Sequence, residues 1–414
     1  MSRLIKHRTN CRICGHTKLK LVLAFGQTPL ANAFLSQEQL HAPELFFPLN
    51  VFLCQRCGLV QLQDVVLPKL MFAEYVYASS TSPVFQAHFE SLAAQVTERF
   101  ALNANSLVID IGSNDGILLA PFKRHGVKVL GVDPARAVAK LARRAGIPTE
   151  VAFFSGAYAA RLRRKVGAAD IVTATNVFAH VDDLADITAG VKYLLKPDGV
   201  FIVEVPYLVD FLQQNIFDTV YHEHLSYFSV AALNTFFKLH GLRIFDAQKI
   251  STHGGSIRLY VKFASAKHKI QSAVQEFLRS ESSLGLKSIR LYTEYAARIQ
   301  QNKLDLLILL TNLKQAGKKI AAYGAPAKGN TLLNVFGIGP DLLDYIVDDS
   351  PLKQGKYSPG RHIPVVSSQA LKRQPPDYLL ILAWNFAQPI MDKNQAFKQA
   401  GGKFILPIPK PKVV

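Results

Sequence analysis

Residues 220–229 read "VYHEHLSYFS", which sets Tyr221, His222, Glu223 and His224 side by side. Histidine, with an ordinary pKa of about 6.5, is suited to removing a proton near neutral pH. A neighbouring glutamate can hold the imidazole tautomer or, when protonated, donate to a developing anion. A tyrosine hydroxyl can hydrogen-bond substrate or oxyanion. In an extended segment His222 and His224 share a face opposite Tyr221, whereas a turn separates the two histidines. Both remain candidates for the base on spacing alone. His180, in "TNVFAHV", is a further candidate, as a base or as a positioning residue.

The second chemical cluster is sulfur. All four cysteines lie in the first 57 residues, as "CRIC" (Cys11, Cys14) and "CQRC" (Cys54, Cys57). Each two-residue gap lets one turn present two thiolates, and two such pairs make a closed tetrahedral zinc site. Such a site has no open position for substrate, so it should staple the fold. The N-terminus lacks the apolar core of a signal peptide, which makes the cytoplasm the expected compartment and disulfides the poorer explanation.

These groups need a scaffold. "SLVIDIGSNDGILLAPFKRHGVKVLGVDPA" reads as strand, glycine-bearing turn, helix and second strand, with Asp110, Gly112, Asn114, Asp115 and Gly116 at the turn and Asp133 after the second strand. Glycines let the backbone approach a ligand, and an acid after the second strand can bind ribose hydroxyls. Where the G-x-G-x-x-G register wants three glycines, only Gly112 and Gly116 are present, and the pattern resembles motif I of S-adenosyl-L-methionine-dependent methyltransferases; a nucleotide such as NAD is the alternative. "TNVFAHV" follows a later strand and adds Asn176 to the cofactor-side candidates; it lacks the N/D-P-P-Y tetrad of amino-methylating nucleic-acid enzymes.

The chain has 414 residues, is 49% hydrophobic and carries a formal net charge of +18. That length implies two or three domains, and no apolar run reaches the ~20 residues of a membrane span. The basic residues are scattered in short groups such as "RLRRK", which reads as a solvated surface without a nucleic-acid partner. The competing reading of charge and cysteines together is a zinc-containing RNA methyltransferase or RNA-binding protein. Downstream, "KKIAAYGAPAKGNTLLN" restarts a strand, glycine turn and helix, and Gly324, Gly329 and Lys328 suit an anion at a helix N-terminus. Lys328, Thr331 and Asn334 are the candidates for diphosphate or nucleoside contacts, the alternative being a scaffold-only unit. "THGGSIR" permits two readings: Arg258 on a phosphate, or a turn into a final strand.

The conjunction of the paired cysteines with "LAN" and "CGLVQL", "YVYASSTS", "DIGSNDG", "VEVPYLVDFL", "YHEHLSYFS", "THGGSIR" and "YGAPAKGNTLLN" resembles the three-domain sugar C-methyltransferases that act on nucleotide-linked 4-keto-deoxyhexoses. The resemblance spans almost the whole chain. It implies an α/β fold: a zinc-binding subdomain over 1–70, a Rossmann-like methyltransferase core over 71–265, a helical connection over 266–316, and an α/β domain over 317–414 that binds the substrate nucleotide. It also implies S-adenosyl-L-methionine and structural zinc as cofactors, and a thymidine diphosphate-linked ketosugar as substrate. Tyr221, Glu223 and His224 carry over as catalytic residues, with His224 the leading base and Tyr75 and Tyr77 lining the pocket. Methylation at C3 beside the ketone would proceed through an enolate, which needs a base, a donor to the ketone oxygen and an in-line methyl. An O-methyltransferase built on the same scaffold is the competing expectation.

Overall fold

The computed structural model describes residues 4–72 and 83–414. In the N-terminal part, strand Phe46–Cys54 ("FFPLNVFLC") alternates half-buried and buried positions, so Phe47, Leu49, Val51 and Leu53 face one core. It pairs antiparallel with Leu19–Pro29 and Val60–Leu62. A fourth strand, Ser226–Tyr227, arrives from the far side of the sequence and pairs with Val60–Leu62. The candidate catalytic loop is therefore threaded into the N-terminal sheet.

The central sheet has seven strands: β1 (Leu107–Ile111), β2 (Lys128–Asp133), β3 (Thr149–Val151), β4 (Ala169–Thr175), β5 (Leu195–Pro206), β6 (Leu242–Ile250) and β7 (Ser256–Phe263). Their spatial order is β3-β2-β1-β4-β5-β7-β6, with β7 antiparallel to both neighbours and the β3-to-β5 run parallel. Helices cover both faces, which is why these strands read as continuous apolar runs such as Phe201, Ile202 and Val203. Strand order reverses between β1 and β4, and the crevice outside that reversal is where open α/β sheets bind ligands. "KPDG", a turn by its residue types, is taken into β5 beside a register shift.

After β7, helix Ser272–Leu284 leads to helix Ile289–Gln315, whose 27 residues span about 40 Å. Its buried positions, Tyr292, Tyr295, Ile299, Asn302, Leu306 and Leu310, recur every three or four residues along one face. A second Rossmann-like sheet follows. In chain order its strands are Ile320–Tyr323, Ile346–Val347, Val365–Val366, Tyr378–Ile381, Lys403–Leu406 and Lys412–Val413, and in space they run third-second-first-fourth-fifth-sixth. Its own reversal lies between Ile320–Tyr323 and Tyr378–Ile381. That crevice is bordered by helix Ala327–Phe336 and the Trp384–Phe386 turn.

The outer parts meet each other directly. Asn330 Nδ2 donates to the Ala31 carbonyl at 2.8 Å, Glu44 accepts from the Gly360 amide at 2.9 Å, and Leu35 bridges Tyr357. Among the described residues no helix is long and apolar enough to cross a membrane.

Candidate active site

The loop between β5 and β6 is pinned at both ends. Upstream, Asp218 in the turn Phe217–Thr219 is fully buried and accepts from Trp384 Nε1 at 2.6 Å, with Lys328 Nζ lying 5.1 Å from the Trp384 ring centre. Downstream, helix Val230–Leu239 starts under a double cap. Ser229 Oγ accepts from Ala232 N, and the Glu281 carboxylate accepts from Val230 N, Ala231 N and the Tyr207 hydroxyl at 2.7, 2.7 and 2.9 Å.

Between the pins the chain turns, with the His224 amide donating to the Tyr221 carbonyl. The turn sends the two loop histidines apart. His222 is buried against Phe47 of the N-terminal sheet, its Nε2 3.3 Å from the Phe47 carbonyl, and burial pushes its pKa down to about 4. His224 places Nδ1 2.8 Å from the Thr219 carbonyl. A carbonyl only accepts, so Nδ1 carries the proton and Nε2 of the neutral ring is an acceptor. The Tyr221 hydroxyl lies 3.0 Å from that nitrogen. The His180 ring stands 4.9 Å from the His224 ring at 74°, and burial holds it near a pKa of about 4, hence neutral.

Glu223 is the complementary group. Only 6% of it is exposed, Asn32 Nδ2 donates to its Oε1 at 2.7 Å, and burial raises its pKa to about 7. A carboxyl poised there is partly protonated at neutral pH and can donate to an oxyanion.

On the sheet side, the β1 loop turns through left-handed positions at Gly112 (φ 70), Asn114 (φ 50) and Gly116 (φ 84). A side chain at Gly112 would put its Cβ 2.3 Å from Val177 Cγ2, so only glycine fits. Asp133 accepts from the amides of Asn114 and Ala135 at 2.9 and 2.8 Å, which ties the loop to the end of β2. Asp110 accepts from Thr173 Oγ1 at 2.5 Å, and burial raises it to about 7. Asn176, left-handed at φ 58, closes β4 with its side-chain oxygen buried and without a hydrogen-bond partner among the described residues. A loop of tightly turned backbone facing an unsatisfied polar atom suits a cofactor with amino-acid and ribose groups.

The four cysteine sulfurs lie within 4.8 Å of one another, at 3.5 Å for Cys11–Cys57 and 3.6 Å for Cys14–Cys54. Zn–S bonds of about 2.3 Å in a tetrahedron separate sulfurs by roughly 3.8 Å, so the cluster fits the ion.

Comparison with known proteins agrees with this layout. Residues 11–72 match a zinc binding domain profile, 85–247 a methyltransferase domain, and 251–409 the C-methyltransferase C-terminal domain. The C-methyltransferase NovU of Streptomyces niveus is 40% identical over 414 residues, covering 100% of this chain and 99% of that protein. The chain belongs to the C-methyltransferase family. By contrast, a ubiquinone biosynthesis O-methyltransferase of Rhodopseudomonas palustris matches at 31% over 119 residues, 25% of this chain and 44% of that one. A magnesium protoporphyrin IX methyltransferase structure from Synechocystis with bound S-adenosylmethionine aligns over 43% of this chain and 79% of its own, at 17% identity and a TM-score of 0.33.

The C-methyltransferase takes S-adenosyl-L-methionine as its cofactor, and its four cysteines form a structural zinc site. Tyr221, His224 and His180 are brought together, while the Glu223 carboxyl meets Asn32 and His222 contacts Phe47, both of the N-terminal part. Tyr75 and Tyr77 lie outside the described residues. "THGGSIR" forms a short turn into β7, where Arg258 is buried with its Nε 2.5 Å from Glu204. Arg258 and Glu204 are direct cross-strand partners, and His88 Nε2 completes the group at 2.8 Å from Glu204. This pairing, and not a phosphate, occupies the guanidinium. Lys328 is buried at the second sheet's reversal. Thr331 Oγ1 donates to the Ala327 carbonyl, and Asn334 Nδ2 donates to the carbonyls of Asn330 and Pro359, so both use their donors within the fold.

Asn32, Asp218, Trp384 and Thr219 escaped identification from sequence. Two signals were present: Asn32 closes the "LAN" motif, and Trp384 is the one tryptophan in the chain.

Proposed function

We propose that this C-methyltransferase acts in the cytoplasm on C3 of a nucleotide-linked 4-keto-6-deoxyhexose, with thymidine diphosphate as the nucleotide, through an enolate. The observation that carries the reading is the pairing, in one loop, of a histidine with an oriented acceptor nitrogen and a buried carboxyl that is partly protonated at neutral pH. Carbon methylation beside a ketone needs both. An O-methyltransferase needs the base alone.

In this mechanism the C3 proton moves to His224. Because the Tyr221 hydroxyl already sits on Nε2, that oxygen takes the proton from carbon as its own passes to the ring. The imidazolium that forms keeps its Nδ1–H on the Thr219 carbonyl. Neutral Glu223 donates to the ketone oxygen as negative charge gathers there, and Asn32 keeps its other oxygen in place. When bound, S-adenosyl-L-methionine supplies an electrophilic methyl group on its sulfonium. Asp110, Gly112, Asn114, Asp115, Gly116, Asp133 and Asn176 form the cofactor cradle. His180, neutral and edge-on to His224, lines the pocket without competing for the proton.

The nucleotide occupies the reversal of the second sheet, where Lys328 offers charge and Trp384 a ring face. Asp218 ties this crevice to the loop that holds His224. The test incubates the protein with S-adenosyl-L-methionine and a panel of nucleotide-linked ketosugars, read by mass spectrometry and NMR. A C-methyl product and solvent deuterium exchange at C3 without the cofactor are expected. A methoxy signal in the product would refute carbon methylation.

A further inference from the structure

Arg12 lies between the first two zinc-ligating cysteines, yet its side chain has no exposed surface. Nη1 donates to the Leu62 carbonyl at 2.5 Å and to the Leu225 carbonyl at 3.0 Å, and Nε donates to Asp182 Oδ1 at 3.1 Å. The Arg12 amide is held in turn by Gln61 Oε1 at 2.9 Å, and Gln61 is fully buried. Asp182 is reinforced by Arg8 Nη1 at 2.9 Å and Lys6 Nζ at 2.8 Å.

The positions reached by this guanidinium matter. Leu225 directly follows His224, and Asp182 lies two residues after His180. The two segments also touch through the Leu225 amide, which donates to the Ala179 carbonyl at 2.8 Å. One planar, rigid group thus holds the Leu225 carbonyl next to His224 and the Asp182 carboxylate two residues beyond His180, and the two histidine rings are 4.9 Å apart. A buried cation persists only where it is paired and hydrogen-bonded, and a guanidinium fork fixes several acceptors in one plane as an ammonium cannot.

We propose that Arg12 is a positioning residue for methyl transfer: anchored in the zinc knuckle, it sets the spacing of His180 and His224. The metal then stabilises more than its own subdomain, since the knuckle it closes is the base on which the guanidinium stands. The proposal rests on the assignment of His224 as proton acceptor, and it makes the N-terminal module part of the catalytic geometry.

The test compares Arg12→Lys with the wild-type protein for zinc content by atomic absorption, for cofactor binding by titration, for kcat and KM, and for histidine ring resonances by NMR. Zinc and cofactor binding should be unchanged and KM should stay within a few-fold. kcat should fall about a hundredfold, the loss typical of a misplacement near 1 Å. The resonances of His180 and His224 should move while those of His88 and His362 stay. Zinc-loaded Arg12→Lys with kcat within threefold of wild type and unmoved resonances would overturn the proposal.

If Arg12→Lys loses zinc or fails to fold, Asp182→Ala carries the test, because it leaves both cysteine turns and Arg12 intact and cuts one arm. It should shift the His180 resonance and lower kcat at full zinc content, and wild-type values for both refute the proposal. Full turnover in His224→Asn would instead defeat the base assignment, and the ring resonances of Arg12→Lys would still decide whether Arg12 positions the pair.

Discussion

Replacing Glu223 by glutamine separates the carboxyl's chemistry from its shape. Burial raises the Glu223 pKa from an ordinary 4.5 to about 7. The folded state therefore binds this proton more tightly than the unfolded chain. The stability it contributes is complete below about pH 4.5 and is lost as pH rises toward 7. A difference of about 2.5 units at 1.36 kcal/mol each amounts to about 3 kcal/mol. Glutamine keeps an acceptor for Asn32 Nδ2 and stays neutral. The stability of Glu223→Gln relative to wild type should be flat in acid and gain about 3 kcal/mol by about pH 8. Urea unfolding at four or five pH values measures the difference, in which all other titrations cancel.

The same substitution reads the catalytic role. In the wild-type enzyme the neutral donor falls to about one tenth of the population one unit above its pKa, so kcat/KM should drop roughly tenfold on the alkaline side. Glutamine is a donor at every pH, and its profile should lose that limb. Stability curves that run parallel would show Glu223 ionised as in water. An alkaline limb that persists unchanged in Glu223→Gln would remove Glu223 from the donor role.

Three further outcomes follow from the geometry. His224→Asn should lower kcat by about 10²- to 10⁴-fold and abolish C3 deuterium exchange, whereas His222→Asn, altering a contact with Phe47, should lower the melting temperature and leave exchange in place; the reverse pattern would reassign the base. Gly112→Ala forces a Cβ onto Val177 at φ 70, and should cost about 1–3 kcal/mol of stability together with cofactor affinity, measured by thermal melts and by titration with S-adenosylhomocysteine. Trp384→Phe keeps a ring beside Lys328 but removes the donor to buried Asp218, so about 1–3 kcal/mol should be lost, with KM for the nucleotide sugar raised; an unchanged KM would detach this crevice from the substrate.

What was legible in the sequence was local. Cysteine pairs with two residues between them, a strand ending in a glycine turn and an acid after the next strand each lie within one short segment, and the folded chain keeps them there. The choice between His222 and His224 was not legible, because it depends on a turn and on the pairing of Ser226–Tyr227 with a strand more than 160 residues earlier. Asn32 meets Glu223 across 191 positions and Trp384 meets Asp218 across 166. Arg258 misleads for a related reason. Its basic head suggests phosphate, but the β5–β7 register sets it directly opposite Glu204, and no periodicity in either strand announces that pairing.

The loop itself is held from three separate parts of the chain. Each of its polar positions answers to a different part of the chain. Asp218 is held by Trp384 of the second Rossmann-like sheet, and the next residue, Thr219, offers the carbonyl that orients His224. His222 and Glu223 are covered from the N-terminal side by Phe47 and Asn32, and the Leu225 carbonyl is held by Arg12. The burial that raises Glu223 toward neutrality is thus owed to the N-terminal module, and the tautomer of His224 to a turn buttressed from the C-terminal domain. Neither property belongs to the methyltransferase core alone. A core of this kind can place a methyl group near many acceptors, but a base and a neutral donor on the same loop require low exposure on both of its sides. The flanking domains supply that low exposure, and the proposed activation of a carbon next to a ketone depends on it.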